Sequence, residues 1–380
     1  MRTPGLPVTR LGKRRETRVH PLIAGAIALL SLAACTQSHA RSAVATARPS
    51  PPAPDSPVQA QKSPLLGSAP ESSAPQASSP AASTPVTATP SPAITATMLP
   101  VRLPLALSRL VAVAVGDRVI IAGGLNPQQT TTAQLSWFDP GAGSITPTGK
   151  LPVAVHDAGG ALLGGAAFVV GGGSAASSDA VQEVRADGSA VIVGHLPQVR
   201  SDDAVAVAGS VLYVVGGYDS TRELPGVLAT TDSVTFRQVG QLSETVRYGS
   251  AYASASAVWV FGGEHQGTTI PDIQRVDTAT GLSTVVAHFP HPLAHAAVAV
   301  IRNRVLILGG TDGHNRQHTI YAFDPLTNEV SVVGSLPESV SDMAVAVVAD
   351  TAYVIGGDAL TAEQTVAPTT ALVRVSIETD

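Results

Sequence analysis

A short apolar run closing on a glycine pair recurs six times along the chain: VIIAGG ending at Gly124, FVVGG at Gly172, LYVVGG at Gly217, VWVFGG at Gly263, VLILGG at Gly310 and AYVIGG at Gly357. Successive pairs are 48, 45, 46, 47 and 47 residues apart. Each run is preceded by a segment of small side chains, such as Ala204–Ala208 (AVAVA), Ala296–Val300 (AAVAV) and Ala344–Val348 (AVAVV). A third apolar stretch follows, as in Gln134–Phe138 and Thr319–Phe323, and closes on Asp139-Pro140 or Asp324-Pro325, where the carboxylate caps a turn. A short fourth stretch then leads into Leu151-Pro152, Leu196-Pro197 or Leu336-Pro337. The runs are β-branched and glycine-punctuated, with no helical stripe, so each unit reads as four strands.

Six four-stranded units predict an all-β, six-bladed β-propeller, with the small-residue strand of each blade against the axis. Bulky side chains would collide there, and Ala, Val and Gly suit the position. The sixth unit runs out near Asp380 after only three strands, while Thr95–Val101 stands before Leu103-Pro104 as a fourth strand stands before Leu336-Pro337. The N-terminal strand is therefore expected to close the last blade and cover its edge. Over roughly residues 97–380 the repeats resemble the kelch family: the apolar strand with its glycine pair is matched six times, Tyr321 matches the family's tyrosine, and Trp137 sits near that position in the first repeat. The family's later tryptophan is absent throughout, and no Trp-Asp dipeptide suggests a WD40 propeller.

Composition divides the chain before the propeller. Residues 1–34 read as a signal peptide, with a basic start and an apolar stretch from Pro21 to Ala34. Those 14 residues fall short of the roughly 20 needed to cross a bilayer. Leu32-Ala33-Ala34-Cys35 resembles the bacterial lipobox, which implies cleavage before Cys35 and diacylglycerol on its thiol. Residues 35–96 then form a lipid-bearing cysteine and a disordered linker of Ala, Ser, Pro and Thr, which buries too little apolar surface to fold. As a random coil its roughly 60 residues would span about 45 Å. The expected location is the extracytoplasmic face of the cell membrane or envelope, with the lipid as anchor.

Charge narrows the partners. The whole chain has 23 basic and 28 acidic residues; removing the six basic residues and one acid of residues 1–34 leaves 17 against 27, a net charge of −10. General electrostatics therefore gives no affinity for nucleic acid.

In the kelch family, the residues leading into each innermost strand and the loops after the glycine pairs supply ligand contacts. Carried onto this chain, the first set gives Arg109, His156, Asp157, Asp202, Arg247, Tyr248, His295 and Asp342 as candidate ligand-binding residues at the channel mouth. The loops add Asn126, Ser174, Tyr218, Asp219, Glu264, His265, Asp312, His314 and Asp358. His288 and His291 lie close to His295, but the Phe289-Pro290 and Pro292 breaks present no ligands in register, so no metal is expected. The copper and Cys–Tyr chemistry of galactose oxidase relatives needs a cysteine this chain keeps for its lipid. No cofactor or catalytic set is assigned. A monomeric module that binds a glycan, a peptide or an envelope protein is favoured. The alternatives are a sugar-ring-opening enzyme resembling sialic-acid mutarotases, for which His156, Asp157 and Arg247 would supply acid and base groups, and an accessory subunit of an envelope complex.

Overall fold

The computed structural model describes residues 93–378. The signal peptide, Cys35 and nearly all of the linker expected from the sequence lie outside the described residues. Six four-stranded antiparallel sheets, and no helix, make up the blades among the described residues. Their innermost strands are Val111–Val115, Gly159–Leu163, Ala204–Ala208, Ser250–Ala253, Ala297–Ile301 and Ala344–Val348. Blades one to five run outward in sequence order.

The sixth is completed from the other end of the chain. Ile94–Met98 pairs along its whole length with Leu372–Ile377, in register from Ile94 opposite Ile377 to Met98 opposite Val373. This strand starts one residue before Thr95 and stops at Met98, short of the Val101 expected from the sequence. Pro100, just beyond it, has no amide hydrogen to continue a ladder.

The core is divided between the blades. Each of the six buried apolar clusters sits between two adjacent sheets, such as Leu212 and Val214 of blade three against Phe168 and Val170 of blade two. Alternating side chains along each strand serve two interfaces at once. The cluster between blades six and one (Ala344, Ile355 and Leu372 against Val119 and Phe138) makes the ring continuous.

Two concentric rings of backbone hydrogen bonds tie the blades together. In the outer ring the second glycine of each pair donates to the next blade: Gly124 to Val155, Gly172 to Arg200, Gly217 to Val246, Gly263 to Leu293, Gly310 to Val340, and Gly357 to Leu107, all at 2.8–2.9 Å. Both glycines of every pair have positive φ, between 56° and 110°. A Cβ on the first glycine of each pair would press into the carbonyl oxygen that accepts this inter-blade bond, and one on the second into a carbonyl oxygen of its own blade. The six-fold signature is thus a backbone requirement of blade docking.

The inner ring lies at the axis. Arg109 donates to the carbonyl of Asp342, Asp157 to that of Arg109, Asp202 to Asp157, Tyr248 to Asp202, His295 to Tyr248, and Asp342 to His295, at 2.7–3.0 Å. Each donor is 15 residues before the second glycine of its blade, and each is left-handed, with φ between 50° and 58°.

Candidate functional site

The inner ring is where six of the eight sequence-derived candidates fall, one per blade. Two-residue bridges between the segment before each inner strand and the residue after its glycine pair set the neighbours. The Arg247 and Glu264 backbones exchange hydrogen bonds of 3.1 and 2.8 Å, and those of His156 and Gly173 exchange bonds of 2.9 and 2.8 Å. The remaining two candidates, His156 and Arg247, stand one residue before their ring members. All eight therefore meet at one mouth.

Left-handed backbone costs a residue with a Cβ roughly 1–3 kcal/mol and persists where surrounding structure enforces it. Glycine would relieve that cost at every ring position, yet the ring is Arg, Asp, Asp, Tyr, His and Asp. The side chains meet one another across blades. Arg109 donates from Nη1 to Asp157 Oδ2 at 2.9 Å, and its Nε is 3.5 Å from Asp342 Oδ1. His295 donates from Nδ1 to Asp342 Oδ1 at 2.6 Å and places Nε2 3.6 Å from Glu264 Oε1. Tyr248 stacks on His295 with ring centroids 4.0 Å apart, and the Arg109 guanidinium reaches within 5.5 Å of the Tyr248 centroid from the opposite blade. Arg247 donates from Nη2 to Glu264 Oε2 at 3.1 Å, lies 3.9 Å from Asp202 and sits over both Tyr218 and Tyr248.

Burial and pairing pull the protonation states apart. Burial opposes a charged imidazole at His295, but the Asp342 and Glu264 carboxylates outweigh it and raise the group to about 9. Asp342 is buried too, yet His295 and Arg109 hold it below the usual carboxylate range. Burial raises Asp157 against the pull of Arg109, with Asp202 and Asp342 adding to the rise, and burial likewise raises Asp202. His156 is lowered by burial and by Arg109; its Nδ1 shares a 2.9 Å hydrogen bond with Thr131. The mouth thus offers a protonated imidazole and two arginines beside carboxyls of unequal basicity. Behind the ring a central cavity of about 250 Å³ continues along Gly160, Val205, Ala251, Val298 and Val345.

The other histidines do not join the site. His288 pairs with Asp272 at 2.7 Å, and His265 contacts the Thr245 carbonyl at 2.7 Å. Two buried charged residues beside the site carried no signal in the sequence analysis. Arg200 and Asp203 flank the blade-three ring residue; aligning the repeats on the glycine pair would have exposed them as charges in otherwise apolar columns.

Architecture and mouth together define a closed six-bladed β-propeller presenting a polar channel. The KLHDC2/KLHL20/DRC7 Kelch-repeats domain model matches residues 162–357, and the chain belongs to the kelch-repeat family. A Kelch-like protein, terF, of Aspergillus terreus (strain NIH 2624 / FGSC A1156) is 26% identical over 225 residues, 56% of this chain. The match spans only 41% of that relative's length. The solved structure described as "Structure of YjhT" superposes with a TM-score of 0.63 at 14% identity, covering 74% of this chain and 98% of that one. That likeness establishes the fold alone.

Proposed function

We propose that the chain is a membrane-anchored, extracytoplasmic binding or scaffolding module whose channel mouth takes a polar ligand, a glycan or peptide segment, or an envelope partner. Acyl chains on Cys35 would hold it to the membrane and the linker would let the propeller range away from it. One observation carries the reading: all six left-handed ring positions keep a charged or hydrogen-bonding side chain where glycine would fit better. Strained positions that retain functional groups mark sites. The cavity behind them gives a ligand depth, and concave sites with a few convergent polar groups are the usual form of ligand pockets.

Arg247 is the most approachable of the cations and reaches Glu264, Asp202 and two tyrosine faces. Removing it leaves Glu264 without its guanidinium partner and takes a charged donor from the mouth. On a glycan array, Arg247→Ala is expected to lose at least about tenfold in affinity for whatever the wild type retains, roughly 1.4 kcal/mol. Unchanged binding by this variant would remove the mouth as the site.

A second reading is supported by His156 Nε2 lying 3.7 Å from Asp157 Oδ2, the acid–base pairing that opening a sugar ring requires. Under it, NMR would detect faster anomer exchange of a reducing sugar with the protein present. Exchange at the buffer rate would eliminate catalysis.

A further inference from the structure

Blade three carries a buried cation where the other blades are apolar. Two residues before the ring position they have Leu107, Val155, Val246, Leu293 and Val340; blade three has Arg200, 3% exposed. Its Nη1 donates to the carbonyls of Gly216 and Gly226, at 2.6 and 3.0 Å. Nε is covered and has no partner, and the guanidinium forms no ion pair within 4.0 Å among the described residues. Asp203 acts on it only at longer range. Burial raises that carboxyl to about 8, with Arg200 opposing the shift and Asp202 and Asp157 adding to it. At neutral pH Asp203 therefore carries a proton and leaves the guanidinium charge uncompensated. Arginine does not shed its own proton in proteins, and a buried charge without a counter-charge is costly.

A groove opens onto the arm that remains. In the other blades the first glycine of the pair donates to the carbonyl of Gln134, Ala180, Asp272, Thr319 or Ala371, at 2.9–3.0 Å. In blade three the acceptor is Gly226 and the bond lengthens to 3.3 Å. A Cβ on Gly226 would stand 3.6 Å from Arg200 Nη2 and 3.5 Å from Gln238 Oε1. The missing side chain leaves Nη2 facing a groove of about 280 Å³ between the end of the outer strand of blade two, Ala190–Arg200, and blade three. Arg222 brings a second guanidinium to this groove, Gln198 an amide, and Leu224 and Pro225 apolar walls. Arg222 is exposed and shares its charge with Asp219, whose Oδ2 is 3.5 Å from its Nε. The groove thus holds one fixed, uncompensated positive charge. It shares no lining residue with the central cavity.

We propose that this groove binds a small aliphatic carboxylate, with one oxygen on Arg200 Nη2, within reach of Arg222, and the carbon chain against Leu224 and Pro225. The site is separate from the channel mouth and goes beyond the function proposed for it. Guanidinium and carboxylate are matched in charge and planar geometry. A single fixed cation suits a monoanion; a phosphate dianion would leave charge unmatched, and chloride would leave the apolar walls uncovered. The volume lies just below the roughly 300–1,000 Å³ of drug-sized sites and calls for a compact ligand. A free acid and the C-terminus of a peptide offer the same chemistry.

The test is an NMR titration of the full-length chain with sodium butyrate. Butyramide is the uncharged match, N-acetylleucine mimics a peptide terminus, and sodium chloride and phosphate are inorganic controls. Butyrate is expected to shift the Arg200 Nε–H and Gly226 amide resonances saturably, and butyramide to shift neither. Tighter binding of N-acetylleucine than of butyrate would support the proposal and assign a peptide terminus; the reverse would support it and assign a free acid. Affinity should fall as pH rises through about 8, where Asp203 ionises beside Arg200.

Two variants separate binding from folding. Gly226→Ala installs the residue that blades two and six have at Ala180 and Ala371, at a position with no left-handed strain, and keeps Arg200 with its Nη1 bonds. It should melt like the wild type and weaken butyrate binding at least about fivefold, because its methyl covers Nη2. Arg200→Met, which gives blade three the apolar side chain of its neighbours, should abolish the shift of the Gly226 amide; if it does not fold, Gly226→Ala decides. Equal responses to butyrate and butyramide, full binding by either folded variant, or chloride or phosphate binding as tightly as butyrate would overturn the proposal. Loss of the groove leaves Arg247-dependent binding on the array untouched, so the two sites fail separately.

Discussion

Gly262→Ala is expected to lower the melting temperature by about 10 °C, while Gly116→Ala lowers it by only a few degrees. Both glycines are left-handed, with φ of +56° and +62°, so both variants incur the roughly 1–2 kcal/mol that a Cβ costs in that conformation. The surroundings differ. Around Gly116 a new Cβ meets nothing within 4 Å; at Gly262 it would overlap the Leu293 carbonyl oxygen, with the Ile270 carbonyl oxygen at 3.3 Å. The Leu293 carbonyl also accepts the 2.8 Å hydrogen bond from Gly263 that joins blades four and five. Displacing it breaks a link of the outer ring and adds an overpacking cost of roughly 1–3 kcal/mol. The sum, about 2–5 kcal/mol, is a large part of the roughly 5–15 kcal/mol that holds a domain together. Equal shifts for the two variants, followed by calorimetry or circular dichroism, would mean that the glycine pair is a local turn preference with no part in blade docking.

Deleting residues 94–98 is expected to abolish the single cooperative melt and drive the protein into oligomers. The strand gives its side chains Ile94, Ala96 and Met98 to the cluster between blades five and six. Thr95 adds a 2.8 Å hydrogen bond to Glu378, 283 residues away. Two half-buried apolar side chains contribute roughly 3 kcal/mol. About five backbone hydrogen bonds contribute roughly 1 kcal/mol each. Five residues released from order return roughly 1 kcal/mol apiece. The net loss of about 3 kcal/mol is a lower bound, because Leu372–Ile377 becomes an open edge strand, a template for pairing with another copy. Size-exclusion chromatography should show species larger than the wild type, and a synthetic peptide of residues 93–103 added in trans should restore the wild-type elution volume. Wild-type elution with an unchanged melt would show that the ring closes without this strand.

Much of the architecture was legible in the sequence because propeller geometry writes itself into residue size and backbone sign. Small side chains at the axis, glycine pairs at each inter-blade contact and the leftover strand before Leu103-Pro104 each correspond to one steric demand. Asp139 and Asp324 cap their turns as expected, through bonds of 2.8 Å to the amides of Ala142 and Leu326. Boundaries slipped where side chains could not fix them. The inner strand of blade five begins at Ala297, one residue after the expected Ala296, because a run of Ala and Val looks the same in either register.

The candidate site was legible as a set of positions, and all eight residues converge. What the sequence did not display was their conformation: nothing in Arg109 or Tyr248 taken alone signals a left-handed backbone. Only the constant separation of 15 residues from the second glycine, compared across blades, could have revealed the ring. Glu264 was visible as one loop residue among many, and its pairing with His295 and Arg247 depends on the bridge that turns it inward. Arg200 and Asp203 escaped notice because their meaning lies in a contrast with five other blades.

The claim on which the account turns is that side chains from separate blades form one electrostatic unit at the mouth. The pKa of His295, followed by NMR of its imidazole carbon-bound protons, measures this directly. The bonds to Asp342 and Glu264 predict a midpoint of about 9, falling toward the ordinary histidine value in Asp342→Asn. A wild-type midpoint near 6.5, unmoved by that substitution, would mean that the six residues do not meet.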